Sequence, residues 1–141
     1  MLHNRIRGFT LFEMVIALSI IGMLATIAFP AYKTQQQKSR RAECQAALMQ
    51  FASVMERDFS RNGNAYRNIL TLTPPGFPNR CPIDGSSSTS YILGISSLSA
   101  STYQLTATPT GAQADDSCGT LTLTNLLQKG QGSGTIDQCW R

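Results

Sequence analysis

The chain has 141 residues and a formal charge of +4, and charged residues make up only 14% of it, well under the usual quarter. That length allows one small domain with an appendage. The charge balance excludes a strongly basic nucleic-acid protein and leaves room only for a local basic site.

His3, Arg5 and Arg7 open the chain, and from Phe9 to Phe29 the single charge is Glu13. As a helix at about 1.5 Å per residue this run spans roughly 31 Å, the thickness of bilayer hydrocarbon. A secretory signal cut near Ala28–Ala31 would share the basic start and the apolar run, and so would a plain signal anchor. Neither accounts for Glu13, because a carboxylate inside a membrane costs roughly 2.5–3.5 kcal/mol or more. A glutamate that snorkels to the interface is a third reading. A fourth gives it a partner. Phe9 and Glu13 share one helix face, and a cut after Gly8 would give Phe9 a positive α-amine able to pair with the glutamate of a neighbouring helix. Ala17, Ser19, Gly22, Ala25 and Ala28 would let such helices approach closely.

Basic residues flank the apolar run on both sides, Arg5 and Arg7 before it and Lys33, Lys38, Arg40 and Arg41 after it, so charge does not orient it. The cysteines do. Cys44, Cys81, Cys118 and Cys139 all follow the run, which places the C-terminal part in an oxidising compartment.

Pro30 is expected to break or kink the helix. Ala31 to Phe59 nevertheless reads as helix, with no Gly or Pro and many Ala, Gln, Arg and Glu. Cys44, Leu48, Phe51, Met55 and Phe59 form one apolar stripe, while Lys38, Arg41, Gln45 and Arg57 are assigned to the solvated face. Asn62-Gly63-Asn64 ends the helix by turn chemistry. A loop to about Thr89 follows, with Pro74-Pro75-Gly76 and Gly85-Ser86-Ser87-Ser88 in it. Tyr91–Ile95, Thr102–Thr108 and Gly119–Thr124 then read as three strands of an antiparallel meander with one buried face. The tail from Lys129 is Gly-rich until Cys139-Trp140-Arg141.

No catalytic constellation is visible, and His3 is the lone histidine, so no enzyme is expected. A four-cysteine zinc site lacks any Cys-x-x-Cys pair. Asp115-Asp116 reads as a turn or a solvated cap, with calcium a lesser reading for want of further oxygen ligands. Trp140 reads as packing. Lys38, Arg40 and Arg41 read as a solvated or inter-subunit cluster, with DNA or lipid headgroups a lesser reading.

Arg7-Gly8-Phe9-Thr10-Leu11-Phe12-Glu13-Met14, followed by an apolar helix with a proline at Pro30, resembles the leader and N-terminus of type IV pilins and of type II secretion pseudopilins. Phe12 departs from the leucine or isoleucine commoner there. Tyr103–Pro109, Ser117–Leu123 and Asp137–Arg141 are similar to the ending of PilE-type minor pilins of Gram-negative bacteria. The resemblance implies an α+β pilin fold, in which a long N-terminal helix, transmembrane in its first half, packs on an antiparallel sheet of three to four strands. It implies a leader over 1–8, a transmembrane and filament-core helix over 9–33 and a periplasmic domain over 34–141. Cleavage between Gly8 and Phe9, N-methylation of Phe9, docking through Glu13 and unwinding of the helix between Gly22 and Pro30 belong to the same implication.

Four cysteines allow three pairings. Cys118–Cys139 would match the disulfide-bounded C-terminal loop of pilins, and Cys44, on the stripe facing the sheet, would pair with Cys81 and staple the long loop to the helix. The implied partners are other pilin subunits through the N-terminal helix, the prepilin peptidase, the inner-membrane assembly platform and inner-membrane lipid. DNA is a minor reading, and no cofactor or metal is called for. The expected work is that of a minor pilin, a structural subunit that waits in the inner membrane with its N-terminus cytoplasmic and then joins an extracellular pilus. Pilus biogenesis, twitching motility, adhesion or DNA uptake would follow. A type II secretion pseudopilin and a DNA-binding competence pilin are the alternatives.

Overall fold

The computed structural model describes residues 9–72, 76–85 and 88–140. Its elements in chain order are helix α1 (Leu11–Arg61), a short 3-10 turn (Ile69–Thr71), strands β1 (Arg80–Cys81), β2 (Tyr91–Leu98) and β3 (Tyr103–Pro109), a second 3-10 turn (Gly111–Gln113), strands β4 (Leu121–Thr124) and β5 (Lys129–Gln131), and the short helix α2 (Ile136–Cys139). The chain divides into a unit ending at Gln36 and a second beginning at Gln37.

The first unit is the N-terminal part of α1. It contains a stretch long and apolar enough to cross a membrane. Its large apolar side chains from Phe9 to Phe29 are exposed on every side, as expected of a helix made for a non-aqueous solvent. The polar side chains within it are satisfied locally. Ser19 Oγ donates to Val15 O at 2.8 Å, Thr26 Oγ1 to Met23 O at 2.7 Å and Thr34 Oγ1 to Pro30 O at 3.0 Å. In hydrocarbon that return bonding removes most of the penalty for a hydroxyl. Gly22 and Pro30 both lie inside the assigned helix.

The second unit is a helix-on-sheet sandwich. Cys44, Ala47, Leu48, Phe51, Ala52 and Met55 of α1 are buried in one core with Tyr91 and Leu93 of β2, Tyr103, Leu105 and Ala107 of β3, and Leu121 and Leu123 of β4. Full burial of each large apolar side chain contributes about 1.5–3 kcal/mol. The sheet has the order β1-β2-β3-β4-β5, and every pair is antiparallel. The period-2 alternation is visible in β3, where Tyr103, Leu105 and Ala107 point inward while Thr108 faces solvent. A bulge in β2 lies between Ile95 and Ser97.

The sheet has five strands, against the three to four the sequence suggests. β1 and β5 are two and three residues long, too short for an alternation to register. Short edges of this kind limit edge-to-edge pairing. Two non-glycine residues lie in the left-handed region, which suits asparagine and strains leucine. Asn64 closes the end of α1 at φ 60°, its N–H donating to Phe59 O at 3.1 Å. Leu127 lies between β4 and β5 at φ 57°, where a non-glycine residue costs about 1–2 kcal/mol.

Candidate functional site

Of the N-terminal residues singled out by the sequence, Gly8, His3, Arg5 and Arg7 lie outside the described residues. Phe9 is exposed, and the structure brings Glu13 to Thr10. The Thr10 N–H donates to Glu13 Oε2 at 3.3 Å and the Thr10 hydroxyl donates to the same oxygen at 3.4 Å, while the Glu13 N–H donates to Thr10 Oγ1 at 3.2 Å. This is a reciprocal capping box at the start of α1. The carboxylate sits in the first turn, where the helix dipole favours negative charge. The spacing Thr-x-x-Glu carries that signal in the sequence, and reading Glu13 only as half of an intermolecular pair passes over it. A Cβ added at Gly22 would meet nothing within 4 Å, so this face of the helix is open.

In the second unit Cys44 is bonded to Cys81 and Cys118 to Cys139, each with Cα atoms 5.7 Å apart. By loop closure each bridge contributes roughly 3–4 kcal/mol. The segment between Cys118 and Cys139 is also held by polar bonds to α1 at both of its ends. At the start, Asp116 is the hub. It accepts from Arg41 Nε at 3.0 Å, from Arg41 Nη2, from the Tyr91 hydroxyl, from Gln113 Nε2 at 2.9 Å and from the Cys118 N–H at 3.0 Å. At the other end, Gln45 Nε2 donates to Cys139 O and Arg41 Nη1 to Gln138 O at 3.4 Å. Gly134, at φ 77°, passes so close that a Cβ there would meet Cys139 Sγ at 3.2 Å. Trp140 is buried, and its indole N–H donates to Gly130 O at 2.9 Å.

This network corrects two expectations. Arg41 and Gln45 are not on a solvated face but 6% and 8% exposed, because α1 turns them toward the C-terminal segment. Asp116 is not a solvated cap but the buried partner of Arg41. Burial alone would raise the Asp116 pKa. The Arg41 guanidinium, the Tyr91 hydroxyl, the Cys118 N–H and Gln113 outweigh that and hold it at about 2. Tyr91 is pushed well above the ordinary phenol value by burial and by the Asp116 carboxylate.

A third cluster lies where α1 stops. Glu56 accepts from the Tyr66 hydroxyl at 2.8 Å and from the Tyr103 hydroxyl at 3.1 Å. Asp58 accepts two bonds from Arg67, at 2.7 and 2.8 Å. The Tyr66 ring meets Phe59 at 4.4 Å and Tyr103 edge-on at 4.8 Å. Burial and the Glu56 carboxylate push the Tyr66 pKa up to about 12. Both carboxylates are thus occupied, whereas Arg57 and Arg61 form no ion pair among the described residues. They line a cavity of about 270 Å³ with Val54, Asp58, Ile69, Leu72 and Gly76. Because the phenols leave the Glu56 charge in place, this end sets the guanidinium groups of Arg57, Arg61 and Arg67 against the carboxylates of Glu56 and Asp58, a small positive excess. Among the described residues no group of three or more His, Cys, Asp or Glu side chains is placed to hold a metal ion.

Residues 3–29 match the prokaryotic N-terminal methylation motif. Residues 30–122, well over half the chain, match the family described as type IV minor pilin ComP, DNA uptake sequence receptor. The type IV major pilin protein PilA of Myxococcus xanthus is 39% identical over 58 residues, covering 41% of this chain and 26% of that protein's length. Among solved structures, the minor pilin PilV of Neisseria meningitidis superposes with a TM-score of 0.50 at 19% identity, over 74% of this chain and 94% of that one. A type IV pilin of Shewanella oneidensis gives 0.46 at 27% identity, over 74% of this chain and 98% of that one. The methylation motif precedes a match that runs from Pro30 through the first three strands of the sheet and into β4, and the chain belongs to the ComP family of type IV minor pilins.

Proposed function

We propose that this chain is a structural minor pilin, made as a precursor with a leader over 1–8 and matured by prepilin peptidase between Gly8 and Phe9, with N-methylation of Phe9. The match of residues 3–29 to the methylation motif carries this reading. The apolar part of α1, about residues 9–33, holds the subunit in the inner membrane with its N-terminus in the cytoplasm. The domain from residue 34 onward faces the periplasm, where the two disulfides persist. The inner-membrane assembly platform then passes the subunit to the pilus. There Glu13 exchanges its bonds to Thr10 for the methylated Phe9 amine of a neighbouring subunit, and the open face at Gly22 allows close helix packing. Between Gly22 and Pro30 the helix gives way to fit the filament. The matching family is one of type IV pilins and the Myxococcus relative is a type IV pilin, which favours the pilus over a secretion piston. The work is assembly rather than catalysis.

Intact-mass measurement of the membrane-extracted protein tests the proposal. The expected chain begins at methyl-Phe9. A chain beginning at Met1, or near Ala31, contradicts it.

A second reading, DNA capture for uptake, is favoured by the family's description as a DNA uptake sequence receptor and by Arg57 and Arg61, which stand outside the ion pairs of their end of the domain. Composition alone leaves DNA a minor place among the partners, and the family match raises it. The expected signature is duplex binding that weakens linearly as log affinity against log salt. Absence of duplex binding at low salt excludes it.

A further inference from the structure

The turn between β4 and β5 is where residue type and backbone disagree most. It is closed by the Leu127 N–H donating to Thr124 O at 2.9 Å, the Thr124 N–H to Gln128 O at 3.1 Å and the Gln128 N–H to Thr124 Oγ1 at 3.2 Å. A hairpin turn of this kind ends in a left-handed residue, where Gly or Asn is ordinary. Here the residue is Leu127, at φ 57°. The fold does not use the side chain it strains to accommodate. Leu127 is 58% exposed and Leu126 is 71% exposed, more than any other large apolar residue described in the second unit. Backbone strain that holds two adjacent leucines in water points to a contact outside the domain.

The surroundings say what kind of contact. The Asn125 N–H donates to Tyr103 O at 3.1 Å, and the Tyr103 hydroxyl donates to Glu56. The turn therefore belongs to the end of the domain where α1 stops. The carboxylates of that end, Glu56 and Asp58, are held by Tyr66, Tyr103 and Arg67. Arg57 and Arg61 stand outside those hydrogen bonds, although Arg61 helps to hold the Asp58 carboxyl down, and Lys129, which follows the turn, lies over the Trp140 ring at 5.5 Å from its centroid. Ser117 to Ile136 contains no acidic residue. A protein partner would need matching acid to meet this end, whereas a polyanion brings it.

We propose that Leu126 and Leu127 form a wedge that enters the minor groove of duplex DNA and unstacks one base step, with Arg57, Arg61 and Lys129 on the flanking phosphates. Apolar wedges of this kind kink DNA by roughly 20–90° and are repaid by wider contact. The wedge rests on the DNA-capture reading.

The test uses the full chain in detergent micelles and a short duplex with donor and acceptor dyes at its two ends. Binding is expected to raise energy transfer and to make thymines at one step reactive to permanganate. In the double variant Leu126→Ala, Leu127→Gly the turn regains its preferred residue, so the thermal midpoint holds or rises. The energy-transfer change is expected to vanish, with a roughly tenfold loss of affinity. Ile136→Ala, which removes an exposed apolar residue elsewhere, is expected to change neither. Salt-dependent binding to an unbent duplex overturns the wedge alone, and so does unaltered bending by the double variant. No duplex binding by the unaltered chain at low salt overturns the DNA-capture reading and the wedge with it. Bending kept in the double variant but filament incorporation lost makes the turn a contact between pilins and overturns the wedge.

Discussion

Arg41 of α1 and Asp116, 75 positions later, form a buried ion pair at the start of the disulfide-bounded C-terminal segment. Arg41 also donates to Gln138 O near that segment's end. One helical side chain therefore fixes two points that the Cys118–Cys139 bond already brings together. Removing one partner strands a buried charge, at a cost of about 3–5 kcal/mol. We expect Arg41→Met to lower the stability of the full chain in micelles, read from its urea transition, by that amount. Trp140, the single tryptophan, reports the segment by fluorescence. A stability within about 0.5 kcal/mol of the parent would show that the pair has no structural weight.

The same pair sets an acid limit. Asp116 titrates at about 2 in the fold against an ordinary 3.8. A depressed carboxyl stabilises above its unfolded pKa and loses that contribution as pH falls through the folded value. Stability is therefore expected to drop by roughly 2 kcal/mol between about pH 4 and pH 2. Chemical denaturation across that range checks it, and Asp116→Asn should flatten the limb while lowering stability at neutral pH.

An alkaline limit comes from Tyr66. Its pKa is raised to about 12 by burial and by Glu56, so the fold binds the phenolic proton more tightly than the unfolded chain does. That contribution is complete below the ordinary phenol value near 10 and is lost as pH rises toward 12. Tyrosinate absorbance during alkaline unfolding should show Tyr66 ionising with the transition. Tyr66→Phe should remove this part of the alkaline slope, and an unchanged slope would assign it to other groups.

Thr10 and Glu13 can be separated by their effects. Glu13→Ala is expected to leave the leader cut and Phe9 methylated, by intact mass, yet to reduce the protein in sheared pili. Thr10→Ala removes an N-cap worth about 1 kcal/mol but keeps the carboxylate, so its incorporation should stay near normal. Equal incorporation of parent and Glu13→Ala would refute the charge-pair account of docking.

The long helix was legible because its two halves carry different and unambiguous patterns, apolar all round up to Phe29 and striped from Cys44 to Met55. The meander was legible in β3 and β4, where threonine alternates with Leu and Ala. Arg41 was not, since charge at helical spacing looks the same whether it faces water or a carboxylate brought from far along the chain. Asp116 was missed for the same reason, because its donors come from α1, β2, a 3-10 turn and its own loop. The strain at Leu127 had no sequence signature at all. An Asn-Leu-Leu-Gln stretch does not announce a left-handed residue, and only the closed hairpin imposes one.

The Cys44–Cys81 bond has a mechanical meaning. Cys44 lies on α1, and Cys81 ends β1, the first strand of the sheet. Tension drawn along α1 is handed to the sheet through a covalent link rather than through shear of the Leu48 and Phe51 contacts alone. The helix cannot be extracted from the domain without rupturing that link, so under oxidising conditions the subunit yields by unravelling outside the crosslinked loop, and reduction converts it into one that can be pulled apart layer from layer.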